Sequence, residues 1–320
     1  MGAFAGLLET LEQRLDRLVV LFEQHDGVHV SSFRRGREAC RLPRPPVLKR
    51  RPVVVQLIGH RVEGAASGEE AGVSLQRQDH VVGDLTVAGH RRRGPGPPVV
   101  CVHGAGVSSR ELLPLVEVLG ERHDTWAIDL PGFGASGKPD RPLTLPALAD
   151  VVAAWVEEAG LERPCLLGVS FGCQVVVDVA VRHPEAAAAL VLAGPTVDPR
   201  GRSPWRLAGQ WLRNAPGESP RMMPLNVADY RDAGLRMVLA AFGESIRDRV
   251  EDKLPLVTVP ALVIRGARDR MVPQAWAEEV TRLLPYGRLA VMDGLPHMTP
   301  YRHPRRVAGT VAAFLSEVAV

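Results

Sequence analysis

The chain has 320 residues, 46% of them hydrophobic, and a net charge of +3. That suits one large α/β domain with an insertion, or two smaller domains, and the scattered basic excess excludes a nucleic-acid face. No apolar run reaches the roughly 18–20 residues that a membrane span needs, and Glu9, Glu12, Arg14 and Asp16 break up any signal-peptide core. The expectation is a cytoplasmic protein without a membrane span.

Residues 3–24 carry Leu7, Leu8, Leu11, Leu15, Leu18, Leu21 and Phe22 at spacings of three and four, which predicts an amphipathic helix. It could dock on the main domain, pair with a second subunit to give a homo-oligomer, or sit on a membrane surface, and a polar face that mixes both charge signs favours the first two. From His25 to about Arg77 the pattern dissolves into arginine and proline punctuation, with Val53–Ile58 as a lone strand candidate. Residues 1–77 therefore read as an N-terminal extension, poorly ordered or translated from a start codon placed too far upstream, with a basic tail contacting a partner as the alternative. Residues 78–320 read as the main domain.

Strand candidates follow at Val81–Ala88 and Pro98–Val102, the second an unbroken apolar run of the kind buried on both faces of a parallel sheet. A helical segment leads to Gly120, then a strand at Asp124–Ile128 and the turn Asp129-Leu130-Pro131-Gly132-Phe133-Gly134. Gly132–Gly137 matches G-x-G-x-x-G, but Pro139 and Pro142 forbid the helix that a dinucleotide fingerprint must open. A helix near Leu145–Ala159, strands at Cys165–Leu167, Ala187–Ala193, Ala261–Ile264 and Arg288–Met292, and helices at Gln274–Leu284 and Pro304–Leu315 complete the pattern. Between Pro195 and Pro260 the chain is mostly helical. Strands alternating with helices predict an α/β fold, a doubly wound, mostly parallel sheet.

Gly168-Val169-Ser170-Phe171-Gly172 places a serine at an abrupt strand-to-helix turn, with glycines where a Cβ would crowd the neighbouring chain. A serine hydroxyl needs a base, and the base an orienting acid. Asp269 and His297 each follow a strand downstream, at the sheet edge where sites of open α/β sheets form. Asp198 competes with Asp269 for the acid. His183 and His303 compete for the base less well, at the far end of the serine helix and at the opening of the last helix. The small residues of His103-Gly104-Ala105-Gly106 would let the Ala105 N–H join the Phe171 N–H in an oxyanion hole. Candidate substrate contacts are His103, Gly104, Trp205, Trp211 and Met223; the plainer reading makes His103 structural and has most apolar residues of the insertion pack it on the core. Dispersed histidines and unpaired cysteines predict no metal site, and no cofactor is indicated.

Together, His103-Gly104, Asp129–Gly134, the Gly168–Gly172 turn, Asp269 and His297 resemble the α/β-hydrolase fold family from about Val81 to the C-terminus. The resemblance implies a serine hydrolase acting through an acyl-enzyme, with Ser170 as nucleophile, His297 as base then acid and Asp269 orienting it. It also implies that residues 196–254 are a lid. The expected substrate is a small acyl compound, a carboxylic ester or a related lactone or thioester. The alternatives are hydrolysis of a carbon–carbon bond beside a ketone and, in another class, a catalytically inert ligand-binding protein of the same fold. A serine at the turn argues against the aspartate-bearing dehalogenase and epoxide-hydrolase branches.

Overall fold

The computed structural model describes residues 54–55 and 75–318. The expected helix at 3–24 and Cys40 lie outside the described residues. Nine strands are described: β1 (Val54–Val55), β2 (Gln76–Val82), β3 (Leu85–Arg92), β4 (Gly96–Val102), β5 (His123–Ile128), β6 (Cys165–Val169), β7 (Ala189–Ala193), β8 (Ala261–Gly266) and β9 (Gly287–Met292). They form one sheet in the order β1-β9-β8-β7-β6-β4-β5-β3-β2. Pairing is parallel from β1 to β5, whereas β3 runs antiparallel to both β5 and β2.

The strand expected at Val81–Ala88 is corrected. Gly83, at φ 57°, and Asp84 form a two-residue turn, so the segment is a hairpin of β2 and β3. A positive φ at the first turn position suits glycine and matches the twist of the paired strands. β2 starts at Gln76, two residues inside the segment assigned to the extension.

The central strands read as unbroken apolar runs because both faces are covered. On one face Val100, Val102, Leu166, Leu190 and Leu192 pack with α2 (Leu145–Glu158), α3 (Phe171–Arg182) and α8 (Gln274–Leu283). On the other, Val99, Cys101, Leu167, Val191 and Ile264 pack with α1 (Leu113–Leu119) and α10 (Pro304–Glu317). Alternate residues of one strand enter opposite cores, so a leucine-to-alanine change in either costs roughly 2–5 kcal/mol. The short helix α9 (Thr299–Arg302) precedes α10.

The stretch between β7 and β8 is helical. It holds α4 (Pro204–Asn214), α5 (Met222–Ala233), α6 (Leu235–Arg247) and α7 (Val250–Lys253). Its base is fastened to the serine-bearing helix by charge. Lys253 Nζ lies 2.6 Å from both Asp178 Oδ1 on α3 and Asp248 Oδ1, and Gln174 Nε2 donates to Asp248 Oδ2 at 3.0 Å. No described helix is long and apolar enough to cross a membrane.

Candidate active site

Ser170 sits between β6 and α3 with φ 54° and ψ −117°, a conformation that costs a non-glycine residue of order 1–3 kcal/mol. The surroundings enforce it. A Cβ on Gly168 would strike the Gly172 backbone, and one on Gly172 would strike the Val102 carbonyl oxygen. Ser170 N–H donates to Ala193 O at 2.9 Å, which pins the turn to the end of β7.

The chain beyond β8 brings Asp269, and the chain beyond β9 brings His297. His297 Nδ1 lies 2.7 Å from Asp269 Oδ2. The other carboxylate oxygen, Oδ1, accepts from Met271 N–H at 2.7 Å and Val272 N–H at 2.9 Å. Arg265 supports this loop, donating to Val272 O, Asp269 O and Gln274 Oε1. Burial opposes charge on His297, but the Asp269 carboxylate and its hydrogen bond outweigh that and raise the imidazole pKa, with Glu218 and Glu111 adding to the effect. His297 Nε2 is buried without a partner among the described residues. Among the described residues the Ser170 hydroxyl has a single hydrogen-bond contact, to Thr196 Oγ1 at 3.4 Å.

His297 is paired with Asp269, whereas the Asp198 carboxylate caps its own turn by accepting from Arg200 N–H at 2.9 Å. His183 pairs with Asp150 at the far end of α3.

Phe171 opens α3, so its N–H has no carbonyl one turn back to bond. Gly104 lies against Ser170: a Cβ on it would sit 3.5 Å from Ser170 Cβ. Ala105 N–H donates to no protein group among the described residues.

His103, offered both as a substrate contact and as a structural residue, has the surroundings of the second. It is fully buried, and both ring nitrogens are engaged. Leu130 N–H donates to Nε2 at 2.9 Å, and Nδ1–H donates to Gly104 O at 2.8 Å. Burial lowers its pKa, keeping the ring neutral and able to accept. Trp205, Trp211 and Met223 are 48%, 43% and 66% exposed on the insertion, so they do not pack it on the core. Trp205 lines a separate surface cleft of about 480 Å³ with Arg200, Arg206 and Arg213. Leu207, Met222, Met237, Val238 and Phe242 are among the insertion residues packed on the core.

Sequence reasoning missed three acidic residues. Glu111 is 2% exposed, accepts from Gly104 N–H at 3.1 Å, and is pushed up to about 7 by burial. Glu218 Oε1 accepts from Met298 N–H at 3.1 Å, directly after His297, and from Asn214 Nδ2 at 2.7 Å. Asp229 accepts from Ser108. Only their partners, far along the chain or backbone groups, reveal them; Glu111 alone, eight residues after His103, had a local signal. Among the described residues no group of three or more His, Cys, Asp or Glu could hold a metal.

The sequence profile of the alpha/beta hydrolase family matches residues 99–310. The chain belongs to the alpha/beta hydrolase family. As a member it is a hydrolase. It is 28% identical over 250 residues to a pimeloyl-[acyl-carrier protein] methyl ester esterase of Xanthomonas campestris pv. campestris, covering 70% of this chain and 96% of that one. It is 25% identical over 251 residues to a 2-(acetamidomethylene)succinate hydrolase of Mesorhizobium japonicum, covering 70% and 90%. An esterase structure from Thermogutta terrifontis shares the hydrolase fold, with a TM-score of 0.65, 24% identity and coverage of 77% and 100%.

Proposed function

We propose that this hydrolase cleaves a carboxylic ester through an acyl-enzyme, with Ser170 as nucleophile, His297 as base and Asp269 as its orienting acid. The observation that carries the reading is the buried 2.7 Å His297–Asp269 pair, whose Nε2 has no partner among the described residues and whose ring lies against Gly194, next to the Ala193 carbonyl that accepts from Ser170 N–H. Ser170 Oγ attacks the carbonyl carbon as its proton passes to His297 Nε2, and the carbonyl oxygen becomes an oxyanion. Ala105 N–H and Phe171 N–H, at the start of α3, take that charge; one such donor is worth about 10²–10³ in rate. The C–O bond then breaks, His297 returns the proton to the alcohol, and water repeats the sequence on the acyl-enzyme. The charge on Asp269 favours the imidazolium formed on the way. The helical insertion, residues 196–254, roofs the site as its lid. The methyl ester esterase relative supports an ester over other acyl bonds.

The test is fluorophosphonate labelling with peptide mapping, on wild type and Ser170→Ala, followed by p-nitrophenyl ester, lactone, thioester and diketone panels. Labelling confined to Ser170 with ester turnover is expected. Folded wild type that neither labels nor turns over any ester would overturn the reading, and turnover of diketones alone would redirect it to carbon–carbon cleavage.

A further inference from the structure

The loop from Gly104 to Ser108 carries the Ala105 donor, and both its ends are tied to buried carboxyl groups. At one end Gly104 N–H donates to Glu111. At the other, the Ser108 N–H and hydroxyl both donate to Asp229 Oδ2 at 2.9 Å. Glu111 is a local neighbour. Asp229 comes from α5, 121 residues away in the helical insertion, and is 1% exposed. Its second oxygen accepts from Arg110 Nη1 at 2.9 Å, so both oxygens are occupied and the side chain is fixed.

The insertion also presses on the middle of the loop. Gly106 has φ 82°, and a Cβ there would lie 2.9 Å from Tyr230 Cε1 on α5 and 3.1 Å from Val238 Cγ1 on α6. Hydrogen bonds from backbone N–H to a carboxylate are stronger than neutral ones, and in a buried setting their loss leaves the donor unsatisfied. The loop cannot move away from α5 without parting that contact.

We infer that Asp229 is a positioning residue for the oxyanion hole, holding the Gly104–Ser108 loop to the helical insertion so that the Ala105 N–H points at the reacting carbonyl oxygen. This rests on the roles of Ser170 and Ala105 proposed above. It makes α5 part of the catalytic scaffold: hydrolysis proceeds only while α5 is seated on the loop, and motion that lifts it disarms the hole.

The experiment compares wild type, Asp229→Ala, Asp229→Asn and Ser108→Ala on p-nitrophenyl butanoate, with n-butylboronic acid as an inhibitor whose serine adduct is tetrahedral. Asp229→Ala should lower kcat about 10²-fold with KM changed less than about threefold, and weaken the boronate by a similar factor. Asp229→Asn, which keeps an acceptor for Ser108 N–H, should recover most of the loss. Ser108→Ala, which leaves α5 untouched, should show a smaller loss of the same kind and keeps the test decisive if Asp229→Ala folds poorly. Hydrogen exchange of the 104–108 amides should quicken in Asp229→Ala. Unchanged kcat, a loss in KM alone, or unchanged exchange would overturn the inference. Wild type inactive on every ester, with faster 104–108 exchange in the variant, would count against the esterase reading and leave the clasp standing.

Discussion

Gly194 lies against the His297 ring: a Cβ at that glycine would lie 2.8 Å from His297 Cε1 and 2.9 Å from Nδ1. The residue also has φ 62°, so the end of β7 is shaped to admit the imidazole. Gly194→Ala should push the ring off Asp269. The expected outcome is a loss of at least about 10²-fold in kcat/KM, as for other small misplacements of a reacting group, in a protein that still folds cooperatively. Ester kinetics beside a thermal melt checks this; wild-type kinetics would show that the ring yields freely.

Asp269→Asn should cut kcat by about 10⁴-fold, because an amide can stabilise the wrong imidazole tautomer. Asp198→Asn should have little effect, since that carboxylate only caps a turn. Parallel kinetics of the two variants checks the assignment, and the reverse ranking would transfer the acid to Asp198.

The pH profile follows from the raised His297 pKa. General-base catalysis needs the neutral ring, so kcat/KM should fall as pH drops through a value above the ordinary histidine figure of about 6.5. The groups that raise it are Asp269 first, then Glu218 and Glu111. In Asp269→Asn the acid limb should shift to lower pH. A pH–rate profile of both proteins tests the sign.

Glu111 ties pH to stability in the opposite sense from a paired carboxylate. Burial raises its folded pKa from 4.5 to about 7, while Gly104 N–H and His297 act against the rise and Asp229 and Glu218 with it. Between those values the folded state holds the extra proton, so its contribution is present below pH 4.5 and lost as pH rises through 7. The loss is about 3 kcal/mol at most. Glu111→Gln removes it, so its melting temperature relative to wild type should climb between pH 5 and pH 8. A flat difference would mean the carboxyl is ionised throughout.

Deletion of residues 1–74 should leave a folded, active hydrolase, because β2 begins at Gln76 and both faces of the central strands are covered by helices that follow it in the chain. The edge pairing of β1 with β9 is lost, at a modest cost in melting temperature. Insoluble or inactive protein would place the extension in the core or the assembly.

The triad candidates could be read from sequence because each lies just past an apolar strand, and the glycines at 168 and 172 mark where the backbone must pass without a Cβ. The hairpin at Gly83-Asp84 was hidden inside a continuous β-rich run, although the dipeptide is itself a turn signal. His103 could not be resolved in advance, since sequence does not tell which ring nitrogens are already engaged. Asp229 was invisible for another reason: it looks like any acid on a charged helix until the fold carries it across 121 residues to Ser108. The Asp129 motif, too, acquires meaning only in three dimensions. Its carboxylate accepts from Ser109 N–H and Ala135 N–H, while Ser136 Oγ donates to the Asp129 carbonyl, so the motif is a scaffold beside the site.

The Lys253 bridge between Asp178 and Asp248 divides the insertion into a root and a crown. The root is bonded to the same helix that presents the serine, so its alignment is inherited by whatever the crown becomes. Helix α4, with only Leu207 and Asn214 buried, is held far more loosely. Chimeras that exchange α4 while keeping the stretch from Asp229 to Lys253 should therefore retain the machinery and change what it accepts, which makes this fold a natural host for swapping specificity without rebuilding the centre.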